Sequence, residues 1–211
     1  RRIAKEEGAI FVRVAPLWER TQENWDALRD AGFRNAPMHA NAYDATLLLD
    51  LSPSEEELLS KMRKTTRYIL RQAARENPNI EIVKSSNVQD AGLFEELTSS
   101  VAERQRFTPF PQDFTRTEFD VFSRNGNAMW IFGKYKREVA AGALVIFWSG
   151  KAFYHQAASK GEYAKLSLPY LIQWEAIREA KRRGCKQYDF WGYVDPKKNP
   201  RHPWAGPTLF K

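Results

Sequence analysis

Four cations, Lys64, Arg67, Arg71 and Arg75, recur every three or four residues between Lys64 and Glu76. On a helix that spacing gathers them on one face, and like charges so placed repel unless something anionic answers them. The answer is either nearby acids, such as Glu55, Glu57 and Glu76, or a phosphate from outside. A second group is RQRFTPFPQDF, residues 104–114, where Arg104 and Arg106 stand among phenylalanines and prolines. An Arg fork suits a diphosphate, and aromatic rings beside it suit either a ligand or the core. A third is YDFWG, residues 188–192, in which Tyr188 and Asp189 fall near the end of a short strand. The carboxylate there can orient an attacking amine or satisfy a backbone N–H.

Other chemistries lack their residues. His39, His155 and His202 are scattered and Cys185 has no CxxC partner, so no metal site is expected. There is no GxSxG elbow and no Walker loop, which leaves a Ser or Cys nucleophile unsupported. The charge of +7, from 33 Lys+Arg against 26 Asp+Glu, favours phosphate-bearing partners (nucleic acid, nucleotide or an anionic membrane surface), the plainer reading being a solvated basic face. One cysteine in 211 residues excludes an internal disulfide and fits a reducing compartment, so a cytoplasmic protein is expected. No apolar run approaches the ~20 residues of a membrane span. No signal-peptide pattern opens the chain, although Arg1 is no initiator and a preceding segment is expected.

The elements that position these groups follow from capping and periodicity. Residues 1–7 read as a helix end closed by Gly8, and AIFVRV (Ala9 to Val14) as a strand. Thr21 caps a helix from Gln22 to Ala31 with Trp25 and Leu28 inward. TLLLDL, from Thr46, is an apolar strand expected to be covered on both faces. Ser52-Pro53-Ser54-Glu55 reads as a helix start with Ser52 as cap, and the cationic helix from Lys64 follows. Ile80 to Lys84 alternates as a strand. A helix capped near Asn87 runs to about Arg104, and another spans Thr115 to Ser123. Three strands, Ala128 to Tyr135, Val139 to Trp148 and Ala152 to Ala158, form an antiparallel meander. A long helix from Ser167 to Arg183 and a strand from Gln187 to Gly192 close the order.

Strand, helix, helix, three antiparallel strands, helix, strand is the order of an α/β (α+β) GNAT-like acyltransferase fold, a mixed, mostly antiparallel sheet flanked by helices. The N-terminus repeats part of it. RRIAKEEGAIFVRVAP aligns with IREAKRRGCKQYDFWGYVDP as helix end, Gly, strand, Pro. The division expected is 1–51, the second half of one GNAT-like subdomain; 52–79, connecting helices; and 80–211, a second subdomain lacking its final strand. A CoA-using enzyme of this fold needs a Gly-rich loop before the long helix, where backbone N–H groups cradle a pyrophosphate. Here the loop is SKGEYAKLSLPY, with one Gly, a bulky Tyr163 behind it and Pro169 in the first helical turn. The acyl donor is therefore expected to be something other than CoA.

LIQWEAIREAKRRGCKQYDFWG followed by GPTLFK resembles the FemABX family, aminoacyltransferases that add amino acids from charged tRNA to the peptidoglycan stem peptide. TLLLDLSPSEEELLSKMRKTTRYILRQAAREN resembles the same family, so the likeness covers most of the chain. It implies two GNAT-like subdomains, aminoacyl-tRNA as donor substrate with no cofactor, and UDP-MurNAc-peptide or lipid II as acceptor. It also implies a monomer, with peripheral contact at the inner membrane surface. Phe210 and Lys211 match the family's FK pair, whose Lys contacts the 3′ end of the donor tRNA. Arg104 or Arg106 matches an Arg that grips the acceptor diphosphate, and Tyr154 a tyrosine lining the acceptor channel. Tyr188 and Asp189 complete the expected site, and Lys64, Arg67, Arg71 and Lys211 the expected tRNA contacts. An amine attacking an activated ester needs positioning, a proton sink and oxyanion stabilisation rather than a covalent intermediate. The donor's neighbouring ribose hydroxyl can relay that proton. A CoA-dependent N-acyltransferase and a non-enzymatic basic RNA-binding module are the two other readings of the residues.

Overall fold

The structure, a computed structural model, describes residues 2–16, 18–36, 45–105, 108–202 and 205–211, with the side chains of 73–76 and 112 left aside. His39, Arg106 and the side chain of Arg75 therefore lie outside the described residues. The chain divides into two units, residues 1–45 with 192–210, and residues 46–191 with Lys211.

Among its described residues the first unit holds the helices α1 (Arg2–Glu6), α2 (Gln22–Asp30) and, at the other end of the sequence, Ala205–Phe210. Gly8 takes the left-handed conformation, φ 64°, as the expected helix closure requires. The expected strand from Ala9 to Val14 is instead irregular, with Ile10 97% and Phe11 70% exposed. A strand exists only where a neighbour takes its N–H and C=O groups, and no described strand pairs with this segment. Thr21 caps α2 as expected, accepting from the Asn24 N–H, but Trp25 is exposed rather than inward.

The second unit runs β1 (Thr46–Asp50), α3 (Glu55–Lys61), α4 (Lys64–Glu76), β2 (Ile80–Ser85), α5 (Ala91–Gln105), α6 (Gln112–Ser123), β3 (Ala128–Tyr135), β4 (Glu138–Trp148), β5 (Lys151–Ser159), α7 (Leu168–Arg182) and β6 (Gln187–Gly192); α8 is the helix Ala205–Phe210 of the first unit. One six-stranded sheet has the order β1-β6-β5-β4-β3-β2. Strands β2 to β5 are antiparallel, and β6 joins β5 in parallel after the α7 crossover. The hairpin turns fall at Lys136-Arg137 and Ser149-Gly150, all four at positive φ, which matches the right-handed twist of two-residue hairpins. β1 is the edge strand beside β6, so Leu47 and Leu48 stay exposed and the expected cover on both faces is not present. The α3 cap also moves: Ser54 and Glu57 form the capping box, while Ser52 turns its N–H and hydroxyl to Asp50.

Helices α5 and α6 cover one face of the sheet and α7 the other. On the α5/α6 face Trp130 stacks between Phe94 at 5.0 Å and Phe119 at 4.5 Å, with Phe132, Leu144, Ile146 and Phe153 completing the core. On the other face α7 is anchored by Glu179, a buried carboxylate. Burial alone would raise its pKa, but hydrogen bonds from Arg182, Arg183 and Lys84 outweigh that and hold it at about 2. Arg183 also lies 4.0 Å over the Phe147 ring, and Lys181 donates to the carbonyls of Leu51 and Pro53.

Close packing on the α5 side is concentrated at Gly142. A Cβ there would sit 2.9 Å from Phe132 Cδ1 and 3.0 Å from Leu97 Cδ1. Gly142→Ala is expected to destabilise by about 1–3 kcal/mol through overpacking, read as a lower urea midpoint with an unchanged slope.

Candidate active site

Pairing between β5 and β6 extends only over Lys151–Gln187, Ala152–Tyr188 and Phe153–Asp189, and then stops. Two irregularities sit just past that point. On β5 the register against β4 passes from Tyr154–Val145 to Gln156–Leu144, leaving His155 as an extra, bulged residue. On β6 Trp191 takes φ 64°, a conformation non-Gly residues rarely hold without a surrounding structure that enforces it. Its ring meets Phe153 at 5.9 Å and His155 at 5.0 Å, both edge-on.

Two expected site residues, Asp189 and Lys211, converge here. The Asp189 carboxylate accepts from the Trp191 N–H at 2.7 Å and from the Thr46 hydroxyl of β1. Lys211 donates from Nζ to the Trp191 carbonyl at 3.2 Å. Trp191 is thus held from its N–H by one of these side chains and from its C=O by the other. Burial pulls the Lys211 ammonium down to about 8, and the nearby Asp189 charge offsets only part of the shift. The site therefore holds an ammonium that gives up its proton more readily than an ordinary lysine. Phe210, in the first unit, ends α8 and is partly buried.

Tyr154 and Tyr188 do not face this opening. Strand alternation puts both on the α7 side, where they are buried, Tyr188 completely, and burial pushes both phenols up. The Tyr188 hydroxyl has no hydrogen-bond partner among the described residues. Among the expected tRNA contacts, Lys64 and Arg71 are exposed on α4, but Arg67 turns back to donate to the carbonyls of Ser60 and Met62 at 2.9 and 2.6 Å. It serves as a cap for the end of α3, where helix carbonyls lack partners.

Arg104 lies elsewhere, against the loop before α7. Its Nη2 is 3.4 Å from the Ser159 carbonyl, and a Cβ on Gly161 would collide with its Nη1. The loop itself, Gly161–Leu166, is a 3₁₀ helix and not an open cradle. Glu138 clamps it, accepting from Lys160 and from the Tyr163 hydroxyl, and that bond pushes the Tyr163 phenol up to about 12. Sequence reasoning missed the residues flanking the opening, Glu118, His155, Gln156 and Trp191, because a bulge leaves no pattern in the sequence. Among the described residues, no His, Cys, Asp and Glu cluster has a metal-binding arrangement and no helix is long and apolar enough to cross a membrane.

The sheet is mixed, and its parallel strands β5 and β6 part beside Asp189. Residues 60–199 match the family described as Acetyltransferase (GNAT) domain, and the chain belongs to that family. No curated protein matches it. Among solved structures it is similar to FemX, with a TM-score of 0.79 at 19% identity, over 99% of this chain and 69% of that one. It also resembles the C-terminal domain of a putative lysylphosphatidylglycerol synthetase from Agrobacterium fabrum, TM-score 0.53 at 15% identity, over 78% of this chain and 49% of that one. A similar figure, TM-score 0.52 at 14% identity, over 80% of this chain and 49% of the other, holds for L-PGS from Bacillus licheniformis. The chain thus spans about two thirds of FemX and about half of the other two. The GNAT-like, FemABX-like fold read from the sequence is borne out, and membership of an enzyme family removes the reading as a non-enzymatic RNA-binding module.

The shifted ammonium gives a direct check. Competitive acetic-anhydride labelling, followed by mass spectrometry across pH, is expected to show Lys211 gaining reactivity with a midpoint near 8, against about 10.4 for ordinary lysines. A midpoint among the other lysines would contradict the burial account.

Proposed function

We propose that this chain belongs to an aminoacyltransferase that moves an amino acid from aminoacyl-tRNA to an amine of the peptidoglycan precursor stem peptide. The observation that carries this reading is the Lys211 ammonium held at the mouth of the β5–β6 opening. A cation there can meet a phosphate of the tRNA 3′ end or the oxyanion that develops on the ester carbonyl. The loop before α7 supports the same reading. Clamped by Glu138 and overlain by Arg104, it presents no glycine-rich cradle for the pyrophosphate of CoA. The similarity to FemX supports it through the fold alone.

In this reading Arg104 grips the diphosphate of UDP-MurNAc-peptide or lipid II, and exposed Lys64 and Arg71 on α4 contact tRNA. Asp189 holds the opening in shape. Residues 1–51 are the second half of one GNAT-like subdomain, 52–79 the connector and 80–211 most of another. The exposed Ile10, Phe11, Val12 and Val14 support that division, since they are strand-forming residues without a described sheet to join. The enzyme works in the cytoplasm as a monomer, touching the inner membrane face where its acceptor is lipid-linked.

The deciding assay offers the protein UDP-MurNAc-pentapeptide with either charged tRNA or acetyl-CoA and weighs the product. An added aminoacyl mass from the tRNA arm alone is the expected result; acetylation from the CoA arm alone would overturn the donor assignment. Lys211→Ala is expected to lower transfer by roughly 10²–10³-fold while acceptor binding persists. If the charged form does the work, wild-type transfer falls as pH rises through about 8, the value to which burial lowers Lys211. Gly161→Ala tests Arg104 separately. It displaces only the tip of a flexible side chain, so the melting temperature should hold while acceptor affinity drops.

A further inference from the structure

The bulge at His155 does more than end a strand. In a regular strand, side chains alternate between faces, so of two consecutive residues only one would meet α6. The extra residue breaks that alternation. His155 and Gln156 consequently both reach Glu118 on α6. His155 Nε2 lies 2.9 Å from Glu118 Oε1, and Gln156 Nε2 donates to Oε2 at 3.0 Å. Both carboxylate oxygens are engaged, and His155 and Glu118 are each only 18% exposed at the side chain.

A carboxylate only accepts, so in the neutral ring Nε2 carries the hydrogen and Nδ1 is left as the basic nitrogen. No other hydrogen bond to the His155 ring is present among the described residues. A carboxylate that fixes tautomer and orientation, so that the far nitrogen can take a proton, is the arrangement found in hydrolytic triads. The dyad also adjoins the opening. The imidazole packs edge-on against Trp191 at 5.0 Å, and the Trp191 carbonyl is the one that Lys211 engages. The charged or titratable groups around it are Glu118 from α6 and, across Trp191, Asp189 of β6 and Lys211.

We propose that His155 is the base that takes the proton from the attacking amine, with Glu118 as its positioning residue and Gln156 steadying the carboxylate. The amine nitrogen bonds to the acyl carbon, and its proton moves to Nδ1. The bond from that carbon to the donor's leaving atom breaks, and the imidazolium returns the proton to the departing atom. Nothing is oxidised or reduced, and the base is regenerated. The step needs only amine acylation, the chemistry of the family, and stands whether the donor is charged tRNA or acetyl-CoA. Failure of the donor assignment therefore leaves it intact, and the reverse holds as well.

The test measures kcat and KM in the full-length protein with the donor the wild type turns over, together with ¹⁵N shifts of the His155 ring. His155→Gln is expected to lower kcat by about 10²–10⁴-fold with acceptor KM little changed. Glu118→Gln should lower kcat by a smaller factor, and added imidazole should restore part of the activity of His155→Ala. The ring nitrogens should report the Nε2–H tautomer in the wild type and a mixture in Glu118→Gln; this reading needs no turnover. A His155→Gln kcat within about threefold of wild type, or a neutral ring protonated at Nδ1, overturns the proposal. So does a folded His155→Ala protein that imidazole fails to rescue.

Discussion

Two parallel strands that stop pairing in mid-sheet leave backbone groups without partners, and the site is built from what satisfies them. Beyond Phe153 and Asp189, β5 and β6 no longer serve each other. Buried N–H and C=O groups are seldom left unpaired, because each lost bond costs about 1–3 kcal/mol. At Trp191 the Asp189 carboxylate takes the N–H and the Lys211 ammonium binds the carbonyl. The two side chains with the clearest chemical potential are thus also structural substitutes for a missing strand. Such an arrangement explains how a lysine stays half-buried with a carboxylate near it. It is fixed by the geometry of the split, and the burial that fixes it also weakens its hold on its proton.

The split in turn depends on a rigid frame behind it. On the α7 side, Glu179 gathers Lys84 from β2 and Arg182 and Arg183 from its own helix. A buried carboxylate missing one of those partners would be costly, so the cluster specifies the seat of α7 more than it adds stability. Its pKa of about 2 against 4.5 unperturbed means that this contribution is complete above pH 4.5 and fades only as pH falls towards 2. On the other face the stack of Phe94, Trp130 and Phe119 fixes α5 and α6 against the sheet. Since Glu118 is next to Phe119, the same packing sets where the carboxylate meets the bulge.

Much of this frame was legible in the sequence. The meander, the α7 crossover and the YDFWG strand follow from alternation and turn residues, and they define the fold class. The failures have two causes, a partner distant in sequence and a nearby group that competes for the same side chain. Ala9 to Val14 has strand composition but no described neighbour, and Ser52 lost the helix cap to Ser54 because Asp50 engaged it first. Trp25 has the right period for a core but is exposed among the described residues. At the site, Asp189 and Lys211 came from the strand end and from the family likeness. Arg67 was read as a cation facing outward, while the carbonyls at the end of α3 claim it. Tyr188 was placed at the right strand end but on the wrong face. His155 and Glu118 stand 37 residues apart, and nothing in either segment announces the bulge that joins them.

The loop before α7 and the β5–β6 opening differ in charge and backbone geometry. A phosphate cradle works by leaving several N–H groups free at a helix start. Here the residues before α7 direct their polar groups inward: the Lys160 N–H bonds Ala140, and its ammonium and the Tyr163 hydroxyl both go to Glu138. An anion there would meet the guanidinium of Arg104, a directional charge that suits a diphosphate better than it replaces a cradle. At the opening, by contrast, the ammonium of Lys211, lowered by burial, and the His155 imidazole held by Glu118 both meet Trp191. Under the proposed function, the Arg104 guanidinium at the loop, and the ammonium and carboxylate-held imidazole at the opening, suit a donor that brings its own activated ester.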